Sequence, residues 1–196
     1  YCGSVTSSSD FSDINGFQSA HAGFYYDGIA FKLSNNLSSV IWSTYLGGIN
    51  NDAIYGIELD SSNNLFVTGG SSSRGGASTF PTTTGAKYTN PLGDTDGFIS
   101  LISQDGSSLL YSSFAGTNQH DQSYFVQLDE AQNVYLLGQT KGQILVTPGA
   151  SSVLNGGQFI QKWSYELDSI EFSSTFGSDN RNPNNIIPNI SPTAFL

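Results

Sequence analysis

The chain lacks methionine altogether and carries a single cysteine, Cys2, among its 196 residues. One cysteine excludes any disulfide framework within the chain. No apolar run approaches the ~20 residues that an α-helix needs to cross a bilayer. Positive charge is scarce: 6 Lys and Arg stand against 16 Asp and Glu, for a net charge of −10. Such a surface repels phosphate backbones and anionic lipid headgroups, which argues against nucleic acid and bilayer surfaces as partners. No stretch sustains a 3.6-residue apolar period, so little helix is expected. With no initiator Met, no leader at the start and strand-like ends at Tyr1-Cys2-Gly3 and Ala194-Phe195-Leu196, the chain reads as a piece of a longer polypeptide.

What the sequence does have is glycine, 22 residues of it, many Ser, Thr and Asn, and 13 % aromatics. Aromatics spread evenly among turn formers make a β-rich composition, not a disordered one. The excess of acid reads first as a means of solubility. Low charge with abundant Ser, Thr, Asn and Gly also resembles bacterial extracellular proteins.

Four segments repeat in one register, 69 residues apart. Asp27-Gly28-Ile29-Ala30-Phe31 returns as Asp96-Gly97-Phe98-Ile99-Ser100, and Trp42-Ser43-Thr44-Tyr45-Leu46-Gly47 as Tyr111-Ser112-Ser113-Phe114-Ala115-Gly116. Tyr55–Asp60 returns at Tyr124–Asp129, and Asn64–Gly69 at Asn133–Gly138. A weaker third copy follows at an offset of 61, in Gln158–Trp163 and Phe172–Gly177. Its shortening falls in one connection, between Gly138 and Gln158, where a surface loop tolerates deletion. A partial first copy opens the chain, with Tyr1-Cys2-Gly3 aligned to Val67-Thr68-Gly69 and Phe11 to Phe80.

Each copy holds four apolar segments of strand length, bounded by Gly, Asn, Asp and Ser. Ile29, Phe31 and Leu33 alternate with Ala30 and Lys32, the mark of a half-buried strand, as do Ile57 and Leu59 about Glu58. Phe98–Ile102 is continuous and is expected to be covered on both faces. Asp60–Asn64 and Asp129–Asn133 predict tight turns. Four-stranded units at fixed spacing imply blades. The fold class expected is therefore all-β: a β-propeller, with about three four-stranded blades of a larger ring. The copies run approximately 1–53, 54–122 and 123–189, and a further one starts at 190–196. Within a blade, Tyr55–Asp60 is expected innermost, then Asn64–Gly69, Phe98–Ser103 and Leu109–Phe114. The rival architecture is a parallel β-helix, whose coils are usually shorter than this repeat.

At these residues the chain resembles the bacterial SBBP β-propeller repeat. That repeat reads roughly D-G-F-V-A-K-L, then L-x-Y-S-T-Y-L-G-G, I-A-V-D-x-x-G-N-x-Y-V-T-G and F-P-T-T. Asp27–Leu33, Val40–Gly48, Ile57–Gly69 and Phe80-Pro81-Thr82-Thr83 carry the match. The sequence departs from the pattern in places. The turn glycine is Asn63 in one copy and Gln132 in the other, and glutamine is a poor left-handed residue, so a different second turn is expected. Leu101 stands where the family has Lys. The second linker lacks F-P-T-T and keeps Thr147-Pro148-Gly149-Ala150. The resemblance implies a large secreted or cell-surface protein of bacteria. It is similar to Bacteroidetes proteins exported by type IX secretion, some of them linked to gliding and adhesion.

Candidate sites are few. His21 and His120 are the only histidines, and neither has metal-ligand spacing or an accompanying G-x-S-x-G elbow. Asn50, Asn51 and Asp52, with Asn118 and Asp121 in the next copy, form oxygen-rich loops of the kind Ca²⁺ takes, but no EF-hand or glycine-rich calcium spacing accompanies them and turn building between blades is the simpler account. Ser103-Gln104-Asp105-Gly106 is similar to a sialidase Asp box but reads as a turn. Glu58, Asp60, Asp129 and Glu130 could supply paired carboxylates for glycoside cleavage, yet each has a strand-end or turn reading. Trp42, Tyr111 and Phe172 share one repeat position, where core between blades outweighs a sugar-stacking stripe. Arg74-Gly75-Gly76 sits in the longest connection. No catalytic residue and no cofactor is expected. The function expected is a non-enzymatic secreted or surface scaffold or adhesion module, touching proteins or glycans and the remaining blades of its own polypeptide. The alternatives are part of a propeller carbohydrate-active enzyme or lectin, or an accessory subunit of a bacterial secretion or motility complex.

Overall fold

The computed structural model describes residues 1–11, 14–23, 25–74 and 80–177. The expected start of a further copy at 190–196 lies outside them. Strands β1 (Cys2–Thr6), β2 (Asp27–Leu33) and β3 (Val40–Leu46) form the first sheet in that order. Strands β4 (Asp52–Leu59), β5 (Leu65–Ser71), β6 (Asp96–Ile102) and β7 (Leu109–Ala115) form the second. The third holds β8 (Asp121–Leu128), β9 (Val134–Thr140), β10 (Gln158–Trp163) and β11 (Ile170–Phe176). Every pairing within these sheets is antiparallel, which excludes the parallel β-helix. The three sheets are propeller blades of an all-β fold, and strand order within a blade follows chain order as expected. No helix among the described residues is long and apolar enough to cross a membrane.

The core lies between blades rather than within them, because a lone four-stranded sheet has no second layer. Ala30, Trp42, Leu46 and Ile54 meet Phe98, Ile102 and Phe114 at the first junction. Ile99, Leu101, Val126, Leu136, Phe159 and Trp163 meet at the second. Successive side chains of β6 thus point to opposite junctions, and the strand is buried throughout. On β2 the expected alternation is only half right. Ala30 faces the inter-blade core while Ile29 is also buried, since both faces are covered at that level.

Turn chemistry repeats with the blades. Asn63 and Gln132 have φ of 62° and 63°, and in both turns this residue's N–H donates to the Asp carbonyl three residues before, at 3.0 and 2.9 Å. The expectation of a different second turn is therefore wrong. Asp129 accepts the N–H groups of Ala131 and Asn133 just as Asp60 accepts those of Ser62 and Asn64. The same cage of donors surrounds Asn63 and Gln132. The β2–β3, β6–β7 and β10–β11 turns also share one geometry, with Leu37, Gly106 and Leu167 at φ of 58°, 76° and 59°. Ser103-Gln104-Asp105-Gly106 is one of these turns.

Two alignments are corrected by register. Cys2 pairs with Phe31 as Val67 pairs with Ser100, so Cys2, not Tyr1, occupies the Val67 position. The single shared glycine was too weak an anchor, and one residue of slip exchanges the faces of a strand. In the connections, the F-P-T-T segment pins the linker along the outermost strand. Phe80 is buried against Phe98 and Phe114, with ring centroids 4.4 and 5.6 Å apart, and Thr83 N–H donates to the Ser112 carbonyl. In the third blade Thr147 N–H makes the same bond to Ser173, and buried Ile144 stands where Phe80 does. The motif is replaced there rather than missing. These linkers cover the strand edge that an open sheet would otherwise expose.

Candidate functional site

A pocket of about 340 Å³ opens where the innermost strands begin. It draws on all three blades, with Val5 and Tyr26 from the first, Asn51, Tyr55 and Ser72 from the second, and His120 and Gln122 from the third. Its aromatic wall comes from a backbone irregularity. Ile54 pairs with Gly69 and Gly56 with Thr68, leaving Tyr55 as the extra residue of a β-bulge. The third blade repeats it, with Ser123 opposite Gly138, Phe125 opposite Leu137, and Tyr124 extra. A bulge re-aims the side chain it displaces. Here it brings Tyr55 and Tyr124 together across the junction, stacked at 5.6 Å with planes 26° apart.

Glycine makes the bulge possible. A Cβ on Gly69 would overlap the Ala53 carbonyl oxygen, and one on Gly138 would overlap that of Gln122. Amides then tie the tyrosines down. Gln122 Nε2 donates to the Tyr55 hydroxyl at 3.2 Å, and the Tyr124 hydroxyl donates to Gln122 Oε1 at 2.7 Å. Burial pushes both phenol pKa values up, and the neighbouring Tyr55 adds to the rise at Tyr124. Tyr55 and Tyr26 remain 45 % and 51 % exposed, which leaves apolar ring surface beside hydrogen-bonding groups.

Behind this pocket lie pairs of buried carboxylates. Asp52 N–H donates to the carbonyl of Tyr26, the residue before Asp27, at 2.8 Å, and Asp121 N–H donates to that of Thr95, the residue before Asp96, at 2.7 Å. Each bond brings the Asp that opens a third strand beside the Asp that opens the next blade. All four are at most 1 % exposed. Burial pushes the Asp52 carboxyl up to about 6, against hydrogen bonds from Gly48, Ser71 and Ser73, and the Asp27 charge adds to the rise. Burial likewise pushes Asp96 to about 6 despite bonds from Gly93 and Leu92, with Asp121 adding. Asp27 and Asp121 are also raised, chiefly by burial.

The structure separates the residues of the oxygen-rich loops. Asn50 donates its backbone N–H to Ser73 Oγ and its Nδ2 to the Ser72 carbonyl, and Asn118 is exposed. Asp52 and Asp121 instead face Asp27 and Asp96, which the sequence offered only as strand starts. The recurrence of Asp-Gly at both positions was the available signal. Asp60 and Asp129 bind their own turns, Glu58 lies within β4 and Glu130 is exposed. His21 Nδ1 lies 3.0 Å from the Gly23 carbonyl, to which it donates. His120 lines the pocket, its imidazole pKa lowered by burial and then by Lys141. Arg74 pairs with exposed Asp94 at 2.8 Å, while Gly75 and Gly76 lie outside the described residues. Trp42 is core, its Nε1 donating to the Gln104 carbonyl of the next blade at 2.9 Å, and Tyr111 packs edge-on to Tyr165. Phe172, on the last described blade, is 39 % exposed.

Residues 41–81 match the family model described as the SBBP beta-propeller repeat. The match runs from β3 through β4 and β5 to Phe80 and Pro81, so it includes the Tyr55 bulge and the linker anchor. No curated protein matches the chain significantly.

Proposed function

We propose that this chain is part of a non-enzymatic propeller scaffold, secreted or displayed on a bacterial cell surface, that contacts protein or glycan partners at the inner-strand pocket. One observation carries the reading: a bulge places Tyr55 in the pocket wall, where it stacks on Tyr124 of the next blade and Gln122 bonds both hydroxyls. Rigid aromatic surface rimmed by amides and hydroxyls suits the faces of sugar rings and the side chains of a docked loop. The pocket volume, about 340 Å³, suits a small ligand or a single protruding residue. The carboxylates nearby are buried, and their bonds come from main-chain, serine and threonine groups that fix the pocket's frame. Few cations and abundant Ser, Thr, Asn and Gly support a place outside the cell.

The test is a binding screen of the purified chain against arrayed oligosaccharides and against surface proteins of its source cells, with Tyr55→Ala and Gln122→Ala alongside. Binding that is lost in both variants while the fold is retained supports the proposal. Wild-type protein that binds neither class, or variants that bind as well as wild type, reject it.

A further inference from the structure

We infer that the first blade junction is a binding site for a hard divalent cation of the Ca²⁺ class, held between Asp27 and Asp52. The argument begins with charge. Both carboxylates are at most 1 % exposed, and no Lys or Arg among the described residues pairs with either. The nearest base, His21, has Nδ1 3.9 Å from Asp27 Oδ2, but that nitrogen already serves the Gly23 carbonyl. Two buried like charges with only one imidazole beside them are costly, and a cation placed between them removes the cost.

Geometry supplies the place. Asp27 Oδ1 is buried with no hydrogen-bond partner, and Asp52 Oδ1 is buried with none but the nearby Ser71 hydroxyl to call on, while the other oxygens are committed. Asp27 Oδ2 accepts from Ala22 N–H at 2.7 Å, and Asp52 Oδ2 accepts from Gly48 N–H and Ser73 Oγ, each at 2.7 Å. Gly47 leaves open the space between the two groups. A Cβ there would stand 2.6 Å from Asp27 Oδ1 and 3.0 Å from Asp52 Oδ2. Asp52 also borders the pocket.

Ligand chemistry selects the ion. Among the described residues no third Asp, Glu, His or Cys completes a cluster, so the remaining ligands are hydroxyl, carbonyl and water oxygens. That donor set suits Ca²⁺ and does not suit Zn²⁺, which takes nitrogen and sulfur. The second junction is a partial copy: Asp121 Oδ1 is likewise unpartnered, but both Asp96 oxygens accept main-chain N–H groups. The role of the ion is structural, joining the third strand of one blade to the first of the next.

The experiment uses the 196-residue chain, stripped with a chelator and titrated with CaCl₂ by calorimetry and thermal unfolding, with MgCl₂ and NaCl as comparisons. Binding to the native state raises the melting temperature by mass action. Asp27→Asn and Asp52→Asn keep the shape of the side chain and are expected to bind Ca²⁺ about tenfold more weakly or worse. Asp105→Asn, on an exposed turn, is expected to behave as wild type. Calorimetry of the wild type that shows no Ca²⁺ heat overturns the inference, as does a Ca²⁺ response that persists in both junction variants. A wild type stabilised by mild acid and indifferent to Ca²⁺ also overturns it, by showing that a shared proton neutralises the pair.

Discussion

Two adjacent glycines on β5 give a sharp test of the bulge that shapes the pocket. Gly69 and Gly70 both have φ outside the left-handed region, so backbone strain does not separate them. What separates them is space. A methyl on Gly69 would run into the Ala53 carbonyl oxygen and come within 2.9 Å of the Phe98 ring, whereas a methyl on Gly70 finds its nearest neighbours at 3.4 Å. Gly69→Ala must therefore push β4 off β5 at the bulge, combining overpacking with strained ladder bonds, for a loss of about 3 kcal/mol. In a chain of this size that lowers the melting temperature by about 6–12 °C. Gly70→Ala reduces unfolded-state entropy without a clash and should lie between no change and a gain of about 1 kcal/mol. Gly138→Ala repeats the Gly69 case in the next blade. Urea unfolding followed by tyrosine fluorescence reads all three. Equal midpoints for Gly69→Ala and Gly70→Ala, or a Gly69→Ala as stable as wild type, would refute the reasoning.

Two further outcomes follow from the turns. Leu37 has φ of 58° and is 73 % exposed, so Leu37→Gly relieves left-handed strain and should stabilise by about 1 kcal/mol. Leu167 has nearly the same φ, 59°, but is fully buried, so Leu167→Gly should cost about 2–4 kcal/mol in the same denaturation assay. Burial pushes the Asp60 carboxyl up, but bonds from Tyr165, Asn64 and Ser62 outweigh it and hold its pKa below the usual value. A depressed folded pKa gives stability that is present above the unfolded value, near 4, and is lost as pH falls through the folded one. Acid unfolding curves should therefore be shallower below about pH 4 for Asp60→Asn than for wild type, and a parallel fall in both would count against this assignment.

The blade pattern was legible in the sequence because it is local. A strand's period, a turn's Asp and Asn and an Asp-Gly strand start are all written within a few residues, and repetition confirmed them. Fold class, strand order and the burial of both faces of β6 all followed from that. Departures arose where the answer depended on a neighbour. Gln132 looks unsuited to a left-handed turn until the donors around Asp129 are seen. Ile144 does not resemble Phe80, yet each is buried beneath its own linker. The register of β1 depends on β2, and one shared glycine did not fix it.

The site divides in the same way. Tyr55 and Tyr124 were visible as one repeat position, and Asp27 and Asp96 as another. No spacing within a repeat says that Tyr55 will stack on its own copy, or that Asp27 will meet Asp52. Those encounters lie across blade junctions, where the distance between groups is set by how the innermost strand of one blade packs on the strands before it. What each blade is made of follows from residues close together in the chain. What the blades present to one another depends on their packing, because burial, orphaned oxygens and stacked rings exist only after two sheets have closed over the same side chains.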